Sequence, residues 1–306
     1  MDAIFLGHIG ETELGASAIA GMYYLSLYIL GFGFSLGLQV MIARRNGERR
    51  PAETGKVFFQ GLFFLTTLAI SLVTLSKVFT PFILQHLLTS TEIYEAVIQY
   101  LDWRTFGLFF AFPMLAFRAF FVGITKTRVL TASAITLASM NVLLNYLLIF
   151  GAGKIPALGI SGAAMASTIS ELGGLFVLVI YTRFKIDKRH YGLFPVFNQR
   201  LMGQLFRLSV WSMMHSFISV TPWFLFFILI EHLGITQLAI ANIIRSISTI
   251  FFVIVSSFST TTGSLVSNLA GAGERNQIMP LCLKATIIHL IPEIFLRIEP
   301  FFLISA

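Results

Sequence analysis

Charge is scarce in this chain: Asp, Glu, Lys and Arg together make 11% of 306 residues, and cysteine occurs once, as Cys282. A single thiol excludes an internal disulfide. Neither a P-loop nor a nucleophile elbow is present, and the six histidines (8, 86, 190, 215, 232 and 289) are scattered rather than set at metal-ligand spacing. The sequence therefore carries no enzyme signature, no cofactor or metal site and no means of using ATP. Energy for any transport must come from an ion gradient. No polar stretch is long enough to fold a basic nucleic-acid face, so the net charge of +7 has another origin. No cleavable leader is visible either, since Met1 runs into Asp2 and an apolar stub without a basic n-region.

Apolar residues take the place of charge. They make 56% of the chain, with 32 Phe, more than a water-soluble fold can bury, so the bilayer is the solvent. A helix crosses the hydrocarbon with about 20 apolar residues. Candidate spans are 14–43, 57–84, 103–125, 129–151, 160–182, 203–230 and 237–270, with an eighth starting at 278. Such long continuous runs are helices rather than barrel strands, which would alternate over about ten residues each. The fold class is all-α and polytopic. Basic residues mark alternate connections: Arg44, Arg45, Arg49, Arg50 and Lys56; Arg118, Lys126 and Arg128; Arg183, Lys185, Lys188, Arg189 and Arg200; then Arg275. The intervening connections hold His8, Glu11, Glu13, Glu92, Glu95 and Glu231, with Lys77 and Lys154 as exceptions. The positive-inside rule places the first set in the cytoplasm, which accounts for the net charge through topology and anionic lipid.

A repeat organises the chain. His8-Ile9-Gly10-Glu11-Thr12-Glu13-Leu14 returns 224 positions later as His232-Leu233-Gly234-Ile235-Thr236-Gln237-Leu238, and the long apolar segments that follow end at Gly47-Glu48-Arg49 and Gly273-Glu274-Arg275. Two like halves in one order are the layout of many secondary transporters, with the substrate site between them. The division expected is an N-terminal helical bundle over 1–184 with its first helix nearly absent, a cytoplasmic linker over 185–200, and a C-terminal bundle over 201–306 that stops short. On this reading the chain is incomplete at both ends, because the segment at 205–230 has its counterpart before residue 1. Pro292, Glu293, Arg297, Glu299 and Pro300 interrupt what should be a clean span near the end.

Asp2-Ala3-Ile4-Phe5-Leu6-Gly7-His8-Ile9-Gly10, with Leu14-Gly15-Ala16 after it, resembles the end of the first helix in multidrug and toxic compound extrusion (MATE) transporters. Gly31-Phe32-Gly33-Phe34-Ser35-Leu36-Gly37 and Ala43-Arg44-Arg45-Asn46-Gly47-Glu48 resemble the second helix of that family. Asn141-Val142-Leu143-Leu144-Asn145-Tyr146-Leu147-Leu148-Ile149-Phe150-Gly151, then Gly159-Ile160-Ser161-Gly162-Ala163-Ala164, resembles the fifth helix and the start of the sixth. The match runs from residue 2 to about 280. It implies two pseudo-symmetric six-helix bundles, of which this chain offers most of the first and about half of the second. It also implies efflux of small organic, often cationic, compounds by alternating access, coupled to protons or sodium, from the inner (plasma) membrane. Many members carry an acid one helical turn after the fifth-helix asparagine, where this chain has Asn145, and that departure favours protons over sodium.

Asp2 matches the family's first-helix aspartate. A carboxylate inside a bundle pairs, binds a cation or takes a proton, whereas beside a chain terminus it is simply solvated. Asn141 and Asn145, four apart on one helix face, are either ion-site ligands around Asp2 or interhelical hydrogen bonds. Glu171 and Arg245 lie within spans and face a cavity or a partner; Arg118, late in its span, snorkels to the headgroups. Gln39 and His215 are polar residues on apolar spans, either cavity-lining or bonded in packing, and His215 suits a proton relay. Pro113 and Pro222 kink their helices as hinges or as ordinary membrane prolines. Gly31, Gly33 and Gly37 permit close helix approach. Most Phe residues face lipid, and a minority line a cavity attractive to organic cations.

The leading reading is a cation-coupled drug antiporter, with this stretch alone expected to be inactive. The alternatives are a lipid-linked oligosaccharide flippase of the same superfamily, which needs more basic residues in its cavity than Arg245, and a non-transporting truncated remnant. A polytopic membrane enzyme ranks last, for want of any catalytic cluster.

Overall fold

The computed structural model describes residues 2–151 and 156–288. Its helices are α1 (Asp2–Leu6), α2 (Glu11–Gly47), α3 (Pro51–Leu87), α4 (Thr91–Arg104), α5 (Leu108–Gly123), α6 (Arg128–Phe150), α7 (Gly159–Lys185), α8 (Gln199–Glu231) and α9 (Ile235–Ala272). No strand occurs among the described residues. Among the described residues, six stretches are long and apolar enough to cross a membrane: α2, α3, Thr91–Gly123, α6, α7 and α8. These match six of the expected spans, and the seventh, 237–270, falls inside the continuous helix α9. Residues 278–288 are helical, and the remainder of the eighth expected span, with Pro292, Glu293, Arg297, Glu299 and Pro300, lies outside the described residues, as do Lys154 and His289.

One boundary needs correction. The stretch 91–102, read from its acids as a connection, is the helix α4, joined to α5 through a single 3-10 turn at Thr105–Gly107. Its period explains the misreading. Ile93, Ala96, Val97, Tyr100 and Leu101 are buried, whereas Glu92, Glu95 and Asp102 point outward, an amphipathic helix rather than an apolar run. Ser90 caps it by accepting from the Ile93 amide. Lys77, an exception to the charge alternation, donates to the Asp102 carboxylate at 2.8 Å and lies over the Phe106 ring.

The repeat is visible in the backbone and in its caps. His8 Nδ1 contacts the Ile4 carbonyl at 2.8 Å, and His232 Nδ1 contacts the Ile228 carbonyl at 2.9 Å. Gly10 precedes α2 and Gly234 precedes α9, and the first bonds of the two helices, Leu14 N to Gly10 O and Leu238 N to Gly234 O, are both 3.2 Å. The same sequence signal thus builds the same corner twice.

Helix α2 is the central element, packed against α3, α4, α5, α8 and α9. A Cβ on Gly33 would lie 2.7 Å from the Met213 Cα, and one on Gly37 would reach the Ser209 side chain and its Cα at 3.0 Å, so glycine lets α2 and α8 touch backbone to backbone. Phe residues supply more of this core than the sequence suggested. Phe34, Phe58, Phe112, Phe120 and Phe121 are all essentially inaccessible, and Phe58 meets both Phe117 and Phe120 at about 5 Å between ring centres. The outward faces of α3, α6 and α8 carry exposed Ile70, Phe82, Leu143, Trp211 and Leu229, as lipid contact requires.

The basic ends of the helices gather at one rim. There Asn268 donates to the Gly123 carbonyl and accepts from Asn46, tying α9 to α5 and α2. Glu48 lies against Arg45 at 2.7 Å and Arg44 at 3.2 Å. Burial alone raises its carboxyl, but the two guanidiniums outweigh that and hold it below the usual glutamate value. The connection from α7 to α8, residues 186–198, folds back on α3: the Gly55 amide donates to the Tyr191 carbonyl, and Gln60 bonds both Val196 and Asn198.

Candidate functional site

Asp2 opens α1, a single turn of helix wedged against α2, α6, α7 and α9. Its carboxylate collects donors from three other helices. Tyr100 of α4 donates its hydroxyl to Oδ2 at 3.0 Å, and Ser167 of α7 donates to the same oxygen at 2.7 Å. Asn145 and Asn141 of α6 donate their amides to Oδ1 at 3.0 and 3.4 Å. The asparagines are themselves joined, Asn145 Nδ2 to Asn141 Oδ1 at 3.1 Å, and Asn141 also donates to Ser167 at 2.9 Å. Asn145 is inaccessible to solvent, and its Oδ1 is a buried acceptor with no donor among the described residues. The structure therefore brings Asp2, Asn141 and Asn145 together, as the helical spacing allowed. The unpartnered amide oxygen beside the carboxylate can accept a hydrogen bond from a protonated carboxyl or ligate a hard cation.

A second polar layer lies one helical turn away on the same two helices. Arg104, four residues after Tyr100, grips Glu171, four residues after Ser167. Nη2 donates to Oε1 at 2.7 Å and Nη1 to Oε2 at 3.0 Å. Tyr24 of α2 donates its hydroxyl to the same carboxylate at 3.2 Å, and the guanidinium carbon lies 3.7 Å from the Tyr24 ring centre. Both charged side chains are nearly buried, at 13% and 11% exposure. Glu171, expected as a cavity acid or a paired one, is paired. Tyr24 continues along α2 into a stacked run with Tyr28 and Phe32, and Arg118 reaches over the Phe32 ring at 5.6 Å rather than only toward headgroups.

The remaining candidates lie apart from Asp2's shell. Gln39 is buried and donates to the Thr260 carbonyl at 2.9 Å, so it joins α2 to α9. Arg245 donates to Asn242 Oδ1 at 2.7 Å and sits 5.8 Å from the Phe227 ring centre, with Nε buried and unpartnered and no acid in salt-bridge range among the described residues. Asn242 in turn donates to the Leu14 carbonyl and Ser17, another tie from α9 to α2. His215 is exposed on α8 and no side-chain bond joins it to the Asp2 cluster. Pro113 and Pro222 sit inside α5 and α8, and both helices run through them unbroken, as α3 does through Pro81. Sequence reasoning missed Tyr100, Ser167, Arg104 and Tyr24. The available signal was the double spacing of four, Tyr100 with Arg104 and Ser167 with Glu171, hidden because 91–102 was not read as helix.

Comparison with known proteins gives a consistent picture. The MatE family model matches residues 1–147 and 212–303. A probable multidrug resistance protein NorM of Agrobacterium fabrum is 25% identical over 277 residues, a stretch that covers 89% of this chain and 59% of that relative. The chain thus spans about three-fifths of the relative's length. Among solved structures, the eukaryotic MATE transporter AtDTX14 superposes with a TM-score of 0.80 at 21% identity, covering 94% of this chain and 64% of its own. The outward-facing conformation of a multidrug resistance MATE family transporter gives 0.80 at 18% identity, covering 94% and 63%.

Proposed function

The chain belongs to the MatE family of membrane transporters, and from that membership we propose that it supplies the ion-coupling half of an efflux transporter for small organic compounds. The observation that carries this reading is the Asp2 carboxylate held by four donors from α4, α6 and α7. In this reading Asp2 takes up a proton or a sodium ion, the donors rearrange as its charge is neutralised, and the helices that carry them shift between the two access states. A half-buried carboxylate that must change charge each cycle is a costly group to keep in a membrane bundle unless it couples. The unpartnered Oδ1 of Asn145 supports ion binding at this position.

Organic cations are the substrates proposed, attracted to the aromatic run of Tyr24, Tyr28 and Phe32. The proposed setting is the cytoplasmic (inner) membrane, with the basic rim inside. Arg245 is the one observation that favours the flippase reading, since an unpaired interior cation suits a phosphate-bearing substrate.

The test uses the chain extended to the length of its relatives, reconstituted in liposomes with an imposed sodium or proton gradient. Ethidium efflux is expected to follow one gradient and to be abolished by Asp2→Asn with the fold retained. Efflux by the Asp2→Asn variant at the parent rate overturns the assignment.

A further inference from the structure

A cavity of about 280 Å³ opens at the basic rim between α3 and α8, remote from Asp2. Its walls carry Arg45, Lys56 and Arg200, with Asn198 and Gln204 beside them and Glu53 as the one acid. Glu53 is engaged by Arg45 at 3.2 Å. Lys56 and Arg200 have no ion pair among the described residues, and both are exposed. Arg200, Gln204 and Arg207 follow at spacings of four and three, so a third unpaired cation continues the stripe toward the hydrocarbon.

The surface changes character with depth. Lys56 and Phe63 are two helical turns apart on one face of α3, which places Phe63 about 10 Å further into the bilayer. Phe197 meets Phe63 edge to face at 6.2 Å, and Phe206 meets Phe64 at a tilt at 5.8 Å. Phe194, Val196 and Phe197 of the connection are 53%, 53% and 63% exposed, although the same segment is pinned to α3 through Gln60. Apolar side chains on a tethered loop, exposed beside free cations, have the profile of one phospholipid: anionic phosphate on the cations, acyl chains along the rings.

We propose that this cavity is a binding site for an anionic phospholipid of the cytoplasmic leaflet, with Lys56 and Arg200 on the phosphate and Phe63, Phe197 and Phe206 along the acyl chains. The lipid would hold the α7–α8 connection against α3 and α8, linking the first set of helices to the second. A zwitterionic lipid presents the same phosphate, but its headgroup cation offsets that charge and is repelled by the basic rim, so net headgroup charge decides selectivity.

The test measures lipid retention by native mass spectrometry, with the chain reconstituted in vesicles of phosphatidylcholine mixed with phosphatidylglycerol. Wild type is expected to retain phosphatidylglycerol preferentially, and the Lys56→Gln/Arg200→Gln double variant to lose roughly tenfold of that preference. Arg128→Gln, an exposed basic residue of the same rim outside the cavity, is expected to change nothing. Equal loss in Arg128→Gln would reduce the effect to general surface charge and overturn the site. Unchanged preference in the double variant overturns it directly. Inorganic phosphate is added in a third arm, and displacement of phosphatidylglycerol by it would assign the cavity to a free anion instead. If the double variant is not recovered folded, Arg200→Gln alone is read by the same criteria.

Discussion

Breaking the Arg104–Glu171 pair should cost far more than deleting it. Each side chain is nearly buried and the pair is bidentate, at 2.7 and 3.0 Å, with Tyr24 completing the carboxylate's shell. Arg104→Met leaves the Glu171 carboxyl with only a phenol as partner; Glu171→Leu leaves a guanidinium with no acceptor but an aromatic face. An uncompensated buried charge costs about 3–5 kcal/mol, whereas replacing both partners by apolar groups of similar size is near neutral. At a few degrees per kcal/mol, each single variant should lose on the order of 10 °C in Tm. The double variant should recover most of that, so its loss falls short of the sum of the two singles by about 6 kcal/mol. The assay is thermal unfolding in nanodiscs for the four proteins of the cycle, followed by tryptophan emission, with Trp103 adjacent to the altered site. If the double variant's loss equals the sum of the two singles, the residues do not act as a pair and the second polar layer is not a unit.

Other outcomes follow from the same geometry. Asn145→Asp sets a second carboxylate about 3 Å from Asp2 Oδ1, close enough that the two must share a proton or a cation. Infrared titration should show a protonated carboxyl persisting to higher pH than in the parent, and an unchanged spectrum would refute the contact. Gly33→Ala pushes against the Met213 backbone, which cannot rotate away, so α2 and α8 must separate at a cost of roughly 1–3 kcal/mol, read as a lower Tm. Acid should loosen the basic rim. The folded Glu48 carboxyl is depressed, so its contribution is full above the unfolded value and is lost as pH falls through the folded one. The Tm gap between wild type and Glu48→Gln should therefore narrow on acidification, and a gap independent of pH would count against the pair.

What the sequence revealed, and what it hid, divides by range. Long apolar runs and the doubled His-x-Gly corner are local signals, and the spans and the duplicated His8 and His232 caps follow from them. The spacing of four that joins Asn141 to Asn145 is local as well. The donors from α4 and α7 are not, since Tyr100 and Ser167 meet Asp2 only through tertiary packing over 98 and 165 positions. Helix α4 was misread because its charges were counted without their phase. Glu171 was recognised as needing a partner, but nothing in one sequence picks Arg104 over Arg118 or Arg245. The three are told apart by their surroundings alone: a carboxylate, an aromatic face, and a neighbouring amide.

The two polar layers also have a mechanical meaning. Tyr100 and Arg104 are one turn apart on α4, and Ser167 and Glu171 are one turn apart on α7, so the helices are joined by two side-chain rungs at matched pitch, one relayed by the Asp2 carboxylate and one direct, with Thr168 donating to the Trp103 carbonyl between them. A ladder with two rungs resists sliding as one does not, because any shear must break both at once. Helices α4 and α7 therefore behave as a single stiff beam, with Asp2 seated at one rung. A change of charge at that carboxylate cannot be absorbed by a small local adjustment of one helix. Under the proposed coupling role, a change of charge there acts on both helices together.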